Sequence, residues 1–176
     1  MARIAAIFIA LTLFSFAPTS QAAPQVIPGI EVLLSEQLHL IRGKRVGLIT
    51  NHSGVDRELR HDIDLLASAP EVKLTALFSP EHGIRGAAQA GEKVRSAVDA
   101  KTAVPIHSLY GETRRPTPEM LNEVDLLVYD IQDIGSRFYT YISTLGECMQ
   151  AAAERKIPFI VRWSPTFVEV ILRGFH

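Results

Sequence analysis

The stretch Asp125-Leu-Leu-Val-Tyr-Asp130-Ile-Gln-Asp-Ile-Gly135 is apolar nearly throughout up to Tyr129 and then turns abruptly polar. The apolar part is too short for an ordinary helix, and neither face of its alternation is polar. That is how a strand reads when helices cover both faces of a parallel sheet. The same run and cluster recur upstream. Arg45-Val-Gly-Leu-Ile-Thr50 leads into Thr50-Asn51-His52-Ser53-Gly54, and Val72-Lys-Leu-Thr-Ala-Leu-Phe78 leads into Ser79-Pro80-Glu81-His82-Gly83. Val104-Pro-Ile-His107 and Ile157-Pro-Phe-Ile-Val161 are two further predicted strands.

Helical patterns lie between these runs. Ile30 to Ile41 carries Val32, Leu33, Leu34, Leu38 and Ile41; Leu59 to Ala67 carries Ile63, Leu65 and Leu66. Tyr139 to Arg155 has apolar residues at helical spacing and ends on basic residues, which suit a helix C-terminus. Strand and helix in alternation predict an α/β protein, a doubly wound three-layer sandwich with a mainly parallel sheet. There is no internal repeat, and the Pro-rich Arg114-Arg-Pro-Thr-Pro118 reads as a loop entering a short helix.

A chain of 176 residues with net charge −1 and 47% apolar residues belongs with globular proteins, not with disordered or nucleic-acid-binding ones. Arg3, the apolar run Ile4 to Phe16 and the small-residue pattern Ser20-Gln21-Ala22 predict a secretory signal peptide over residues 1–22. The run is shorter than the roughly 20 residues a membrane span requires, so no stable membrane anchor is expected. Residues 23–161 then form one domain. Cys148 is the only cysteine, which excludes an intramolecular disulfide, and its helical setting predicts a buried structural thiol.

In an open parallel sheet the carboxyl ends of the strands share one edge, where ligand crevices form. The three polar clusters therefore converge. Glu81, at a strand end, has the position of a general acid for glycoside hydrolysis, with a pKa raised by partial burial. Asp130 and Asp133 are the candidate partners, and a separation of about 5 Å or about 6.5–9.5 Å would distinguish retention from inversion. Structural alternatives stand beside each: Glu81 paired with Arg85, Asp130 capping a turn, and His52 and His82 as ordinary loop histidines. His52, His82, His107, Asp130 and Asp133 are metal-ligand types, but none has the close spacing of a metal motif. No nucleophile elbow and no glycine-rich phosphate loop occurs; Gly83, Gly86 and Gly91 suit tight turns. Arg85, Arg114, Arg115 and Arg137, with Tyr110, Phe138, Tyr139 and Tyr141, suit a sugar ring bearing an anionic group, since guanidinium pairs with carboxylate. The alternative pairs Arg137 with Asp133 and packs the tyrosines in the core.

The motifs VGLITNHSGVD, LFSPEHGIRG with AGEKV, SLYGETRRPTPEML and DLLVYDIQDIGSRFYTYISTL followed by IPFIV, in that order from about Gly43 to Val161, resemble the bacterial exo-β-N-acetylmuramidases. The resemblance implies a Rossmann-like N-terminal domain, a smaller C-terminal domain, and a cleft between them. It also implies release of N-acetylmuramic acid from non-reducing ends of peptidoglycan fragments, in the periplasm and without a cofactor. By position it makes Glu81 the catalytic acid, with His82 beside it and Asp130 in the catalytic set. It makes Asn51, Arg85, Tyr110, Gln132, Asp133, Arg137 and Tyr139 residues of the substrate cleft. The lactyl carboxylate of muramic acid gives Arg85 or Arg137 a task.

The family continues after the last strand with an LDRPNP-like loop, whereas this chain reads Arg162-Trp-Ser-Pro-Thr-Phe and ends at His176. Residues 162–176 are accordingly expected to be a divergent tail from a truncation or frameshift. An impaired enzyme that self-associates through the surface left bare is the further expectation. Two rival readings are a non-catalytic cell-wall sugar-binding module and a metal-dependent hydrolase.

Overall fold

The computed structural model describes residues 26–87, 89, 91–92, 95–163 and 167–172, with Trp163 and residues 167–172 described by backbone alone. The signal-peptide reading of residues 1–22 lies outside them. The parallel core consists of β1 (Arg45–Thr50), β2 (Lys73–Ser79), β4 (Pro105–Ser108), β5 (Leu126–Asp130) and β6 (Phe159–Trp163), each within two residues of its predicted strand. Two antiparallel edge strands, β3 (Ala97–Val98) and β7 (Phe167–Leu172), complete a sheet of order β3-β4-β2-β1-β5-β6-β7. The order reverses between β1 and β5, so a ligand crevice belongs outside the carboxyl ends of that pair.

The strands alternate between two cores. Val46, Leu48, Leu126, Val128 and Ile160 face α1 (Gly29–Ser35) and α2 (Asp62–Ser68), which contribute Ile30, Leu33, Ile63 and Leu66. Ile49, Leu127, Tyr129, Phe159 and Val161 face α3 (Tyr141–Glu154), which contributes Leu145, Cys148, Ala151 and Ala152. Covering both faces explains why these strands lack a polar face. Gly47 lets this second core close over the central strand: a Cβ there would lie 2.8 Å from Leu127 Cδ2, 3.0 Å from Phe78 Cε2 and 3.1 Å from Val124 Cγ1. Burial pushes the Cys148 thiol well above its ordinary pKa, as suits a structural cysteine.

Local departures from the sequence reading have local causes. The first helix stops at Ser35, because Gln37 leaves the helical region (φ −118°, ψ 18°), and Leu38–Leu40 form a separate 3-10 turn. The second helix starts at Asp62 rather than Leu59. Asp56 Oδ1 accepts from the Glu58 and Arg60 backbone N–H groups at 3.0 and 2.8 Å, folding residues 56–60 into a turn that competes with helix. Leu59 sits there at φ +60°, 80% exposed. The short helix expected after Pro118 is a run of turns, in which Leu121, Asn122 and Val124 each donate to the carbonyl three residues back. Strand β6 continues past Val161 through Arg162 and Trp163 and pairs with β7.

Candidate active site

A cavity of about 610 Å³ opens at the carboxyl ends of β1, β2 and β5. From the β1 loop come Asn51, His52 and Ser53; from the β2 loop Glu81, His82 and Gly86; from the β5 loop Gln132, Ile134, Phe138, Tyr139, Thr140 and Tyr141. Convergence of the three clusters follows from parallel pairing in register, which sets Thr50 against Asp130 and Ile49 against Phe78.

Each wall is built by short-range hydrogen bonding. Asn51, 1% exposed, accepts at Oδ1 from the Ser53 backbone N–H (2.9 Å) and the Ser53 hydroxyl (2.6 Å), an Asx turn. Ser53 Oγ in turn accepts from the Gln132 N–H at 3.3 Å, and the Thr50 hydroxyl donates to the Asp130 carbonyl at 2.8 Å. These bonds tie the β1 loop to the β5 loop. In the β2 loop, His82 and Gly83 both take left-handed backbone conformations (φ +71° and +77°), and Gly83 N–H closes the turn on the Pro80 carbonyl at 3.2 Å. That reversal turns the His82 ring edge-on to His52, with centroids 6.5 Å apart. Gly86 (φ +73°) lies against His52, where an added Cβ would stand 3.0 Å from the His52 Cβ and Cγ.

Glu81 receives donors from three segments. Its Oε1 accepts from the Gly91 N–H at 3.0 Å, its Oε2 from the Thr140 hydroxyl at 3.1 Å, and the Tyr110 phenol bonds the same carboxylate. Burial raises its pKa, but these hydrogen bonds and neighbouring His82 outweigh it, and the net shift is downward. The raised value expected from partial burial is therefore corrected: in the open crevice Glu81 is held ionised. Arg114 stacks over the Tyr110 ring at 5.4 Å, bringing a cation close behind the phenol. The Tyr129 hydroxyl donates to the Tyr141 carbonyl at 2.8 Å, and Tyr139 packs edge-to-face on Tyr141 at 5.9 Å.

Of the sequence candidates, Asn51, His52, Glu81, His82, Gln132, Phe138, Tyr139 and Tyr141 line the crevice, and Tyr110 reaches it through Glu81. The others do not line it. Arg85 is bound to Asp99 (2.8 and 3.0 Å) and Asp64 (3.0 Å), not to Glu81. Asp133 spends Oδ1 on a turn to Gly135 N–H at 2.7 Å, and Arg137 is exposed on the loop between Ile134 and Phe138. Asp130 faces Asp62 and Arg162. Glu81 is thus the one carboxylate among the described residues lining the crevice. Among the described residues no three His, Cys, Asp or Glu side chains cluster as metal ligands would, and no helix is long and apolar enough to cross a membrane. Ser53 and Thr140 were missed as site residues; the first belongs to the flagged TNHSG cluster, the second to a segment whose hydroxyls carry no recognisable spacing.

A family model described as "Exo-beta-N-acetylmuramidase NamZ, N-terminal" matches residues 46–174. The peptidoglycan beta-N-acetylmuramidase NamZ of Bacillus subtilis (strain 168) is 56% identical over 138 residues, covering 78% of this chain and 33% of that protein. Two solved DUF1343 family proteins of Bacteroides fragilis NCTC 9343 share the fold. One has 53% identity and a TM-score of 0.72 over 80% of this chain and 35% of its own; the other has 34% identity and a TM-score of 0.64 over 78% and 34%. The chain spans about a third of the length of each relative it matches.

Proposed function

The chain belongs to the exo-beta-N-acetylmuramidase NamZ N-terminal family, and from that membership we propose that it is the α/β part of a glycosidase releasing N-acetylmuramic acid from non-reducing ends of peptidoglycan fragments. The observation that carries this is Glu81, the one carboxylate among the described crevice residues, gripped by Gly91, Thr140 and Tyr110. In the reaction the bond from the anomeric carbon to the leaving oxygen breaks, that oxygen takes the Glu81 proton, and water supplies the hydroxyl left on the sugar while its other proton restores Glu81 to the acid form. Glu81 must gain its proton as the substrate covers the crevice and strips water from it, which strengthens the burial effect. His82 and His52 flank it as orienting groups. Tyr139 and Phe138 offer apolar faces to the ring. Because Arg85 is occupied by Asp99 and Asp64, the lactyl carboxylate is assigned to Arg137, which stands outside the crevice lining, exposed on the loop that carries Phe138 and Tyr139.

Neither Asp130 nor Asp133 lines the crevice. This favours a second reading, in which the chain alone binds the sugar without turning it over. The signal-like residues 1–22 and a cell-wall substrate agree on an exported, periplasmic protein; recovery of the mature chain from the cytoplasmic fraction would count against that.

The test is chromophore release from para-nitrophenyl β-N-acetylmuramic acid by this chain and by a version extended with the remaining sequence of a relative. The extended form is expected to turn over, with Glu81→Gln lowering kcat at least a thousandfold while binding and folding persist. A folded extended form that binds without release supports the binding module. Loss of release on chelation with recovery by zinc supports the metal-dependent hydrolase, and absence of any binding overturns the muramidase reading.

A further inference from the structure

Outside the crevice, the most unusual group is Asp62, in the first turn of α2. It is 0% exposed, and neither of its carboxyl oxygens has a hydrogen-bond donor among the described residues. A bare carboxylate in that setting is untenable, because burial removes water without offering a replacement donor. Asp130, at the end of β5, faces it. Two carboxyls in contact cannot both be ionised, and one proton between them gives each a partner.

We propose that Asp62 and Asp130 share one proton and that this carboxyl pair positions the Asn51–Gly54 wall of the crevice. Asp62 holds the proton and donates it to Asp130, whose negative charge is balanced by Arg162 from β6. Arg162 is itself aligned by donating from Nη1 to Gln37 Oε1 at 2.9 Å. The remaining charged or titratable neighbours do not displace that proton. Asp56 adds negative charge but is bound by Arg60 at 2.6 Å, and the His61 ring is turned to the Ile84 carbonyl at 3.2 Å. Burial raises both carboxyls of the pair, in keeping with the geometry.

The pair reaches the crevice through Gly54. A Cβ at that position would collide with Asp62 Oδ2 and Thr50 Oγ1, so backbone lies directly on the carboxyl. Asp62 N–H donates to the Gly54 carbonyl at 3.0 Å, and Gly54 N–H donates to the Asn51 carbonyl at 3.1 Å. Loss of the shared proton to hydroxide sets two buried anions against each other under the backbone that carries Asn51, His52 and Ser53.

The experiment is carboxyl and amide NMR of the full chain across about pH 4 to 10. The expected result is that Asp62 stays protonated well above the ordinary aspartate range of about pH 3.9, and that the Asn51–Gly54 amides shift in step when it ionises. Asp62→Asn, whose amide donates to Asp130, is expected to keep those amides at their low-pH positions throughout; Asp62→Ala displaces them at every pH. Ionisation of Asp62 together with ordinary carboxylates overturns the proposal, as do Asn51–Gly54 amides that ignore it. Should Asp62→Ala not fold, the native titration and Asp62→Asn still decide. The crevice's role as a sugar site is the proposed function above, and it enters only one arm. Muramic acid glycoside affinity is expected to fall at least tenfold from about pH 6 to 10 in the native chain and stay level in Asp62→Asn. A pH-independent native affinity overturns the positioning role, whereas no sugar binding at any pH, with the NMR result as expected, counts against the function alone.

Discussion

At Glu81 burial and hydrogen bonding pull the carboxyl in opposite directions, and hydrogen bonding wins because three donors converge on two oxygens. Removing donors should reverse the balance. Tyr110→Phe with Thr140→Val is expected to raise the Glu81 titration above that of the native chain, and carboxyl NMR reads the shift directly. A residue with general-acid duty thereby gains its proton more easily but loses its fixed orientation, so kcat of the extended enzyme is expected to fall while its alkaline pH limb moves up. Arg85 is a contrasting case. Hydrogen bonding to Arg85 holds the Asp99 carboxyl well below its ordinary range, and Asp99 is nearly buried. Asp99→Asn should cost about 2 kcal/mol, a figure already reduced because Arg85 is partly open to solvent. Urea unfolding checks it, and a native-like midpoint would show the pair to be energetically idle.

Among the elements, β1 is the most constrained, since it lies at the centre of the sheet and hands Asn51 to the crevice. Gly47→Ala forces a methyl against Leu127, Phe78 and Val124 and is expected to destabilise by about 1–3 kcal/mol through overpacking. Thermal unfolding of the variant measures this; an unchanged midpoint would mean that the α3-facing core yields more readily than its packing suggests. The turn over residues 56–60 is governed by Asp56, not by the apolar Leu59, because two backbone N–H bonds to one carboxylate outcompete a helical turn whose leucine would meet only solvent. Periodicity alone assigns Leu59 to the helix. The true start is legible only in the side-chain chemistry of Asp56 and the N-cap His61, whose Nδ1 accepts from Ile63 N–H at 3.4 Å.

For the whole molecule, charge sets a window of pH. Hydrogen bonding to Arg85 and Arg45 depresses Asp99 and Asp125, the latter to about 2, so their stability is present above about pH 4 and lost as pH falls through the depressed values. Burial depresses His61 and His107, whose contribution is present above about pH 6.5 and lost on acidification. Burial raises Asp62 and Asp130, whose contribution is full below about pH 4 and lost as pH rises through the raised values. The thermal midpoint is therefore expected to peak between about pH 5 and 7, and Asp62→Asn is expected to flatten the alkaline side; a native midpoint still rising at pH 9 would contradict both. The sequence by itself determined the parallel core, the two-sided burial and the meeting of three polar clusters, because strand length, apolar continuity and strand-end polarity are local properties. The edge strands β3 and β7 escaped it, since two-residue pairing and antiparallel closure depend on what lies alongside. Only the tertiary structure decided that Glu81 is ionised, that Arg85 belongs to Asp99, and that Asp130 turns to Asp62. Those outcomes rest on which donors and charges arrive from segments distant in the chain, and no local spacing encodes that.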